Sequence, residues 1–222
     1  MGGRRQEKGV GAISYEAVFF DFDGVLAESS EIKTNAFKAL YREYGDETVA
    51  RVVAHHQAHA GLSRLIKIRE CHKRFLGVDL TEEALAALGR RYTEQVEAAV
   101  VECPWVPGAR EFLDAHEDSL KYFVVSGTPH AEMLRIVEAR DMAGHFVSVH
   151  GSPPLKPVTV IDLMEKHELA RERCLFIGDA MTDYDAARET GVDFIGRVPE
   201  GGESPFPAGT RTISDFTELS LS

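Results

Sequence analysis

Five short apolar runs limit what this chain can fold into. Four lie beyond residue 105: Tyr122-Phe123-Val124-Val125, Phe146-Val147-Ser148-Val149, Cys174-Leu175-Phe176-Ile177 and Val192-Asp193-Phe194-Ile195. Amphipathic stretches near 108–117, 129–140, 157–168 and 181–190 alternate with them. A strand that is apolar along its length needs cover on both faces, and intervening helices supply it, so the pattern predicts βαβ units in a parallel sheet. The fifth run, Ala17-Val18-Phe19-Phe20, stands apart from the others. Between it and the rest lies a stretch, roughly 30–102, whose apolar residues recur at helical spacing (Ile32, Phe37, Leu40, Tyr41, then Leu62, Leu65, Ile66, then Leu85, Leu88, Tyr92, Val96) with no convincing strand. The expected architecture is α/β: a Rossmann-like parallel-sheet core made of residues 15–29 and 103–222, with a helical cap domain, 30–102, inserted after the first strand. Residues 1–14, MGGRRQEKGVGAIS, read as a mobile tail, and GGESPFPAGT (201–210) as a turn-rich loop before a final short element.

In open parallel sheets ligands bind beyond the carboxyl ends of the strands, so the residues directly after each apolar run are the candidates for chemistry. Asp21 and Asp23 follow the first run, Ser126-Gly127-Thr128 the second, Gly151 and then Lys156-Pro157 the third, and Gly178-Asp179-Ala180-Met181-Thr182-Asp183 the fourth. This edge gathers four carboxylates, a hydroxyl with neighbouring backbone N–H groups, and an ammonium. Carboxylates so grouped suit an octahedral oxygen site for Mg²⁺, and the hydroxyl, N–H and ammonium groups suit the oxygens of a phosphoryl group. Two carboxylates separated only by Phe22 repel and raise each other's pKa, so Asp21 and Asp23 imply something between or beside them: a cation, Lys156, or a proton resting on Asp23.

The series DFDGVL, VVSGTP, LKP and FIGDAMTD resembles the four motifs of the haloacid dehalogenase-like hydrolase superfamily, in order, and the resemblance extends over residues 16–197. The helical insertion is similar to that superfamily's type I cap, and the whole to its phosphoglycolate phosphatase and β-phosphoglucomutase-like branch. The resemblance implies Asp21 as nucleophile and Asp23 as general acid/base. It implies Ser126, Gly127 and Lys156 as phosphate binders, and a Mg²⁺ site made by Asp21, Asp179 and the backbone carbonyl of Asp23. Asp183 would support the metal or orient Lys156. A carboxylate at Asp23, where the dehalogenases typically carry another residue, favours a phosphate ester as substrate. The glycine-marked segment Gly61-Leu62-Ser63-Arg64 interrupts the helical pattern of the insertion, and in type I caps such a loop selects substrate. Ser63 and Arg64 are therefore the specificity candidates, with Arg64 meeting an anionic or hydroxylated leaving group.

The expected activity is Mg²⁺-dependent hydrolysis of a small phosphorylated metabolite, such as a sugar phosphate or phosphoglycolate, through an aspartyl-phosphate. A phosphomutase is the alternative, since the same residues could return the phosphoryl group to a reoriented substrate. A non-catalytic binding protein would have no need of the full set. Lys and Arg number 25 against 36 Asp and Glu, a net charge of −11, which argues against a nucleic-acid partner. Cys71, Cys103 and Cys174 are odd in number and lack CxxC spacing, so a reducing, cytoplasmic setting is expected, with no membrane partner and a monomer or homodimer as the assembly. In HHQAH (55–59), His55 and His59 share a helical face, yet no glutamate follows His55 and no third ligand is evident. Packed or solvated histidines are the expectation there. Trp105, between Pro104 and Pro107, is expected to pack where the insertion returns to the core.

Overall fold

The computed structural model describes residues 15–116, 119–217 and 219–221. The predicted N-terminal tail, residues 1–14, lies outside the described residues. Six strands form one parallel sheet in the order β3-β2-β1-β4-β5-β6: β1 (Ala17–Phe20), β2 (Lys121–Pro129), β3 (Ser148–Ser152), β4 (Cys174–Gly178), β5 (Asp193–Arg197) and β6 (Thr212–Ile213). β1 is central and wholly buried. Its alternate side chains feed two cores, as the period of two in a strand requires. Ala17 and Phe19 join Phe123, Phe176, Val160, Leu163 and Ala187 on one face, while Val18 and Phe20 join Val124, Leu175, Ile177, Phe112 and Met133 on the other.

The described residues form eight α-helices, α1 (Ser30–Leu40), α2 (Asp46–Ala58), α3 (Arg64–Cys71), α4 (Glu82–Glu102), α5 (Ala109–Ala115), α6 (His130–Ala139), α7 (Lys156–Lys166) and α8 (Met181–Thr190), of which α6, α7 and α8 pack on the strands while α1–α4 pack on one another. Between β1 and β2 the described residues hold helices and turns but no strand; an isolated bridge pairs Ala27 with Trp105 where the chain returns. α4, about 30 Å long, carries this return. Thr81 caps its start by accepting from the Ala84 N–H at 3.2 Å, with Glu82 and Glu83 in the first turn favouring its dipole. At its far end Arg140 Nη1 donates to the carbonyls of Val100, Val101 and Cys103, and the same guanidinium lies 5.6 Å over the Trp105 ring. The last carbonyls of a buried helix end need such partners, and here they come from a residue on the sheet side. The apolar interior of α1–α4, including Phe37, Leu40, Tyr92 and Val96, is continuous with the β1 face carrying Val18 and Phe20.

The structure differs from the sequence pattern at two strands. The run 146–149 predicts a strand, but β3 begins at Ser148, because a short 3₁₀ turn at Ala143–His145 turns Phe146 into the core before pairing starts. β2 continues past Val125 to Pro129, with its pairing to β3 irregular between those residues, so Ser126-Gly127-Thr128 lies on extended backbone. The register sets Phe20 beside both Val124 and Ile177, and the Asp21 N–H continues the ladder to the Ile177 carbonyl at 3.0 Å. The residues that follow three neighbouring strands therefore emerge together.

Phe176 is fully buried and stacks on Phe19 at a centroid separation of 6.4 Å, in the core beneath this edge. Phe176→Ala is expected to lower the unfolding free energy by about 3–5 kcal/mol, measured by urea denaturation.

Candidate active site

Asp21 ends the central strand, buried, with its Oδ1 accepting from the Phe22 N–H at 2.7 Å. One ligand oxygen each from Asp21, Asp179 and Asp183 lies within 4.8 Å of the others. Lys156 Nζ stands 3.1 Å from Asp21 Oδ2 and 2.5 Å from Asp183 Oδ1. Burial opposes the charge on Lys156, but Asp183 and Asp21 outweigh it and hold the ammonium well above its ordinary pKa. Desolvation, together with the charges of Asp21 and Asp183, pushes Asp179 well above the carboxylate range. Three carboxylates against one ammonium leave excess negative charge, and an all-oxygen donor set so placed fits a hard divalent cation.

The backbone is shaped for this crowding. The N–H groups of Leu26 and Ala27 both donate to the Phe22 carbonyl, and Gly24 turns through φ +75°. A Cβ on Gly24 would stand 2.1 Å from Asp179 Oδ2, so only glycine fits. On the other side, Asp183 Oδ2 accepts from the Ala180 N–H at 3.1 Å, fixing the start of α8 and its own carboxylate in one contact.

Asp23 turns away from the triad. Its carboxylate accepts from Ser29 Oγ at 2.6 Å and Thr128 Oγ1 at 3.0 Å, and it pairs with Lys33 Nζ, which also donates to Thr128 Oγ1 at 2.6 Å. Burial acts to raise its pKa, but Lys33, then Ser29 and Thr128, lower it below the ordinary value. Lys33, on the first turn of α1, supplies the counter-charge beside Asp23.

Ser126 is buried, its Oγ accepting from the Thr128 N–H at 3.1 Å, and Gly127 lines a cavity of about 510 Å³ that also reaches Asp21, Asp23 and Asp179. The loop before α3 closes over this edge. Thr182 Oγ1 donates to the Ala60 carbonyl at 3.1 Å, and a Cβ on Gly127 would stand 2.2 Å from the Gly61 carbonyl oxygen. Ser63 is the residue before α3 and lines a smaller cleft, about 180 Å³, shared with Ser126 and Lys156. Arg64 opens α3, borders the larger cavity, and is buried rather than exposed. Its two Nη atoms pair with the Glu132 carboxylate of α6, Nη2 also donates to Thr93 Oγ1 at 2.9 Å, and the guanidinium lies 5.1 Å over Tyr92.

Lys33 and Glu132 lie outside the motif residues, and Thr128, a candidate beside Ser126 and Gly127, is bonded to Asp23. Thr128 was legible, because positions two apart on extended backbone share a face with Ser126. Glu132 carried no local signal, since its partner is 68 residues away. The HHQAH histidines are packed: His55 Nε2 meets Glu70 at 3.0 Å, His56 Nδ1 meets Lys67 Nζ at 3.0 Å, and His59 Nδ1 donates to the His55 carbonyl at 2.8 Å. Among the described residues no helix is long and apolar enough to cross a membrane.

A doubly covered parallel sheet with a carboxylate triad and a buried lysine at its carboxyl edge defines a hydrolase-type site on a Rossmann-like core. The chain belongs to the haloacid dehalogenase-like hydrolase family, whose model matches residues 18–197. It is similar to the phosphoglycolate phosphatase of Photobacterium profundum, 29% identical over 195 residues covering 81% of each chain. The phosphoglycolate phosphatase of Nitrosospira multiformis is 26% identical over 187 residues, covering 79% of this chain and 80% of that one. Among solved structures, β-phosphoglucomutase from Clostridium difficile superposes with a TM-score of 0.74 over 93% of each chain at 16% identity, a likeness of fold.

Removing one partner of the Arg64–Glu132 pair would strand a buried charge. Glu132→Ala is expected to destabilise the protein by about 3–5 kcal/mol in urea denaturation, whereas replacing both residues with apolar ones of similar volume should recover most of that loss.

Proposed function

We propose that this protein is a phosphatase that hydrolyses small phosphate monoesters through an aspartyl-phosphate formed on Asp21. The observation that carries the reading is the placement of Asp21: rigid at the end of the central strand, 3.1 Å from the Lys156 ammonium, and beside Asp179 and Asp183. Asp21, Asp179 and the backbone carbonyl of Asp23 would hold Mg²⁺, with Asp183 in support. When bound, the ion offsets the mutual repulsion of an anionic nucleophile and an anionic ester.

The chain's own groups do the rest. Asp21 attacks phosphorus, and the P–O bond to the alcohol breaks. Lys156, Ser126 and the backbone at Gly127 would bind the phosphoryl oxygens. Asp23 protonates the departing alkoxide, then takes a proton from the water that attacks the aspartyl-phosphate, releasing inorganic phosphate and regenerating Asp21. The proton gained from water is the one given to the next leaving group, so the cycle closes. The Lys33-paired Asp23 seen here is the form that acts on water. Thr128 and Ser29, bonded to the same carboxylate, fix its direction.

The substrate class we infer is a small phosphorylated metabolite such as phosphoglycolate or a sugar phosphate. Relatives named for phosphoglycolate, one named for phosphorylated carbohydrates, and a cavity of about 510 Å³ support it. Cys71, Cys103 and Cys174 are free thiols, in keeping with a reducing, cytoplasmic setting for a monomer or homodimer.

Asp21→Asn changes almost no volume and is expected to lower phosphate release by roughly a thousandfold or more while leaving the melting temperature nearly unchanged. Activity within tenfold of wild type would defeat the aspartyl-phosphate mechanism. Chelation should stop turnover of wild type, Mg²⁺ should restore it, and Ca²⁺ should restore it poorly, since its looser shell does not hold in-line geometry. A panel of phosphorylated metabolites with a phosphate-release readout separates this activity from a mutase, which would need a bisphosphate activator and would release little free phosphate.

A further inference from the structure

We propose that Lys67 is the recognition group for a second anionic centre on the substrate, so that the preferred esters are those whose alcohol portion carries a carboxylate or a further phosphate. This rests on the phosphatase reading and names the kind of leaving group the same cavity takes.

Lys67 lies three residues after Arg64 on α3, hence on the same helical face, and both border the cavity that contains Asp21. Only 4% of Lys67 is exposed. Among the described residues no carboxylate is within ion-pair distance of it, Asp23 and Asp179 acting on its charge only from farther off: Nζ donates to His56 Nδ1 at 3.0 Å and stands 5.4 Å from the centroid of the Phe37 ring. The other buried or half-buried cations around the site are each matched. Lys33 pairs with Asp23, Arg64 with Glu132, and Lys156 with Asp21 and Asp183. Lys38, at the cavity rim, is exposed and bonded to Asn35.

An ammonium removed from water with no carboxylate in contact is costly, and a ring face with one imidazole nitrogen compensates only part of the loss. Packing alone gives no reason for the charge, since a methionine of similar length would fill the space beside Phe37. The environment also keeps its neighbour neutral: burial and Lys67 push His56 down to about 3, so the ring serves as an acceptor. Burial, then the charge of Lys33, brings Lys67 itself down to about 7. An arriving anion is the group that would complete this site, pairing with Nζ through a charge-assisted hydrogen bond. The phosphoryl end of the same molecule is already provided for at the sheet edge by Lys156 and the carboxylate triad. A neutral alcohol portion would leave Lys67 buried and unmatched, which is how a polar pocket rejects an analogue lacking the group it was built for.

The test compares wild type with Lys67→Met, both as full-length protein with Mg²⁺, on phosphoglycolate, fructose 1,6-bisphosphate and glycerol 3-phosphate. Wild type is expected to prefer at least one of the two anionic esters over glycerol 3-phosphate. In Lys67→Met that ratio of kcat/KM should fall by about 100-fold, mainly through KM. Which anionic ester loses more tells a carboxylate from a second phosphate as the matching group. Without substrate the melting temperature of Lys67→Met should equal or exceed that of wild type, because an unmatched buried charge has been removed; a clear drop together with equal losses on all three esters would make Lys67 structural and overturn the inference. So would a wild type that turns over glycerol 3-phosphate as well as the anionic esters, with the phosphatase reading left intact. Absence of phosphate release from every ester would instead overturn the phosphatase reading and this inference with it.

Discussion

Lys156 sits where three carboxylates converge, and the rest of the site is arranged around what one ammonium can and cannot neutralise. It reaches Asp21 and Asp183 at once, from the first turn of α7, and is itself held charged by them. Asp179 has no ion pair with it, its carboxyl driven upward by burial and by the charges of Asp21 and Asp183 more than Lys156 lowers it. The parallel register produces the convergence: with β1 between β2 and β4, the strand exits that carry Asp21, Ser126 and Asp179 cannot avoid one another. Glycine at 24 then removes the one side chain that would keep Asp179 away.

The parts of this arrangement that were readable from sequence are those in which residue type and spacing act locally. The β1 run, the strand at Cys174–Gly178 and the helix after it follow from apolar content and caps, and the exits of those strands point to Asp21, Asp23, Asp179 and Asp183. Lys156 was readable only by its order in the motif series; beside Pro157 it looks like an exposed loop residue, yet at the start of α7 it is buried against Asp21 and Asp183. The start of β3 was misplaced because Phe146 is apolar for the core, not for the strand.

What escaped the sequence altogether is long-range pairing. Nothing near Arg64 announces Glu132, and nothing near Asp23 announces that Lys33 will meet it together with Thr128, 105 residues from Asp23. The HHQAH run illustrates the converse, a pattern suggestive of metal that tertiary packing resolves into single contacts with Glu70, Lys67 and a backbone carbonyl. Charge partners are chosen by three-dimensional proximity, and the energetic demand for a partner is legible only once burial is known.

The cavity at the sheet edge is bordered by parts of the chain that are held in different ways. Asp21 is joined to the β-ladder by its own N–H, so its position can shift only if the sheet does. Arg64 and Lys67, which border the cavity, stand instead on a short helix tied to α6 through the Glu132 carboxylate and to α4 through Thr93. Substitutions on that helix can therefore reshape the pocket without disturbing the reacting centre. In the proposed mechanism, the fold separates what must stay constant, the phosphoryl chemistry, from what is free to diverge, the identity of the molecule that carries the phosphate.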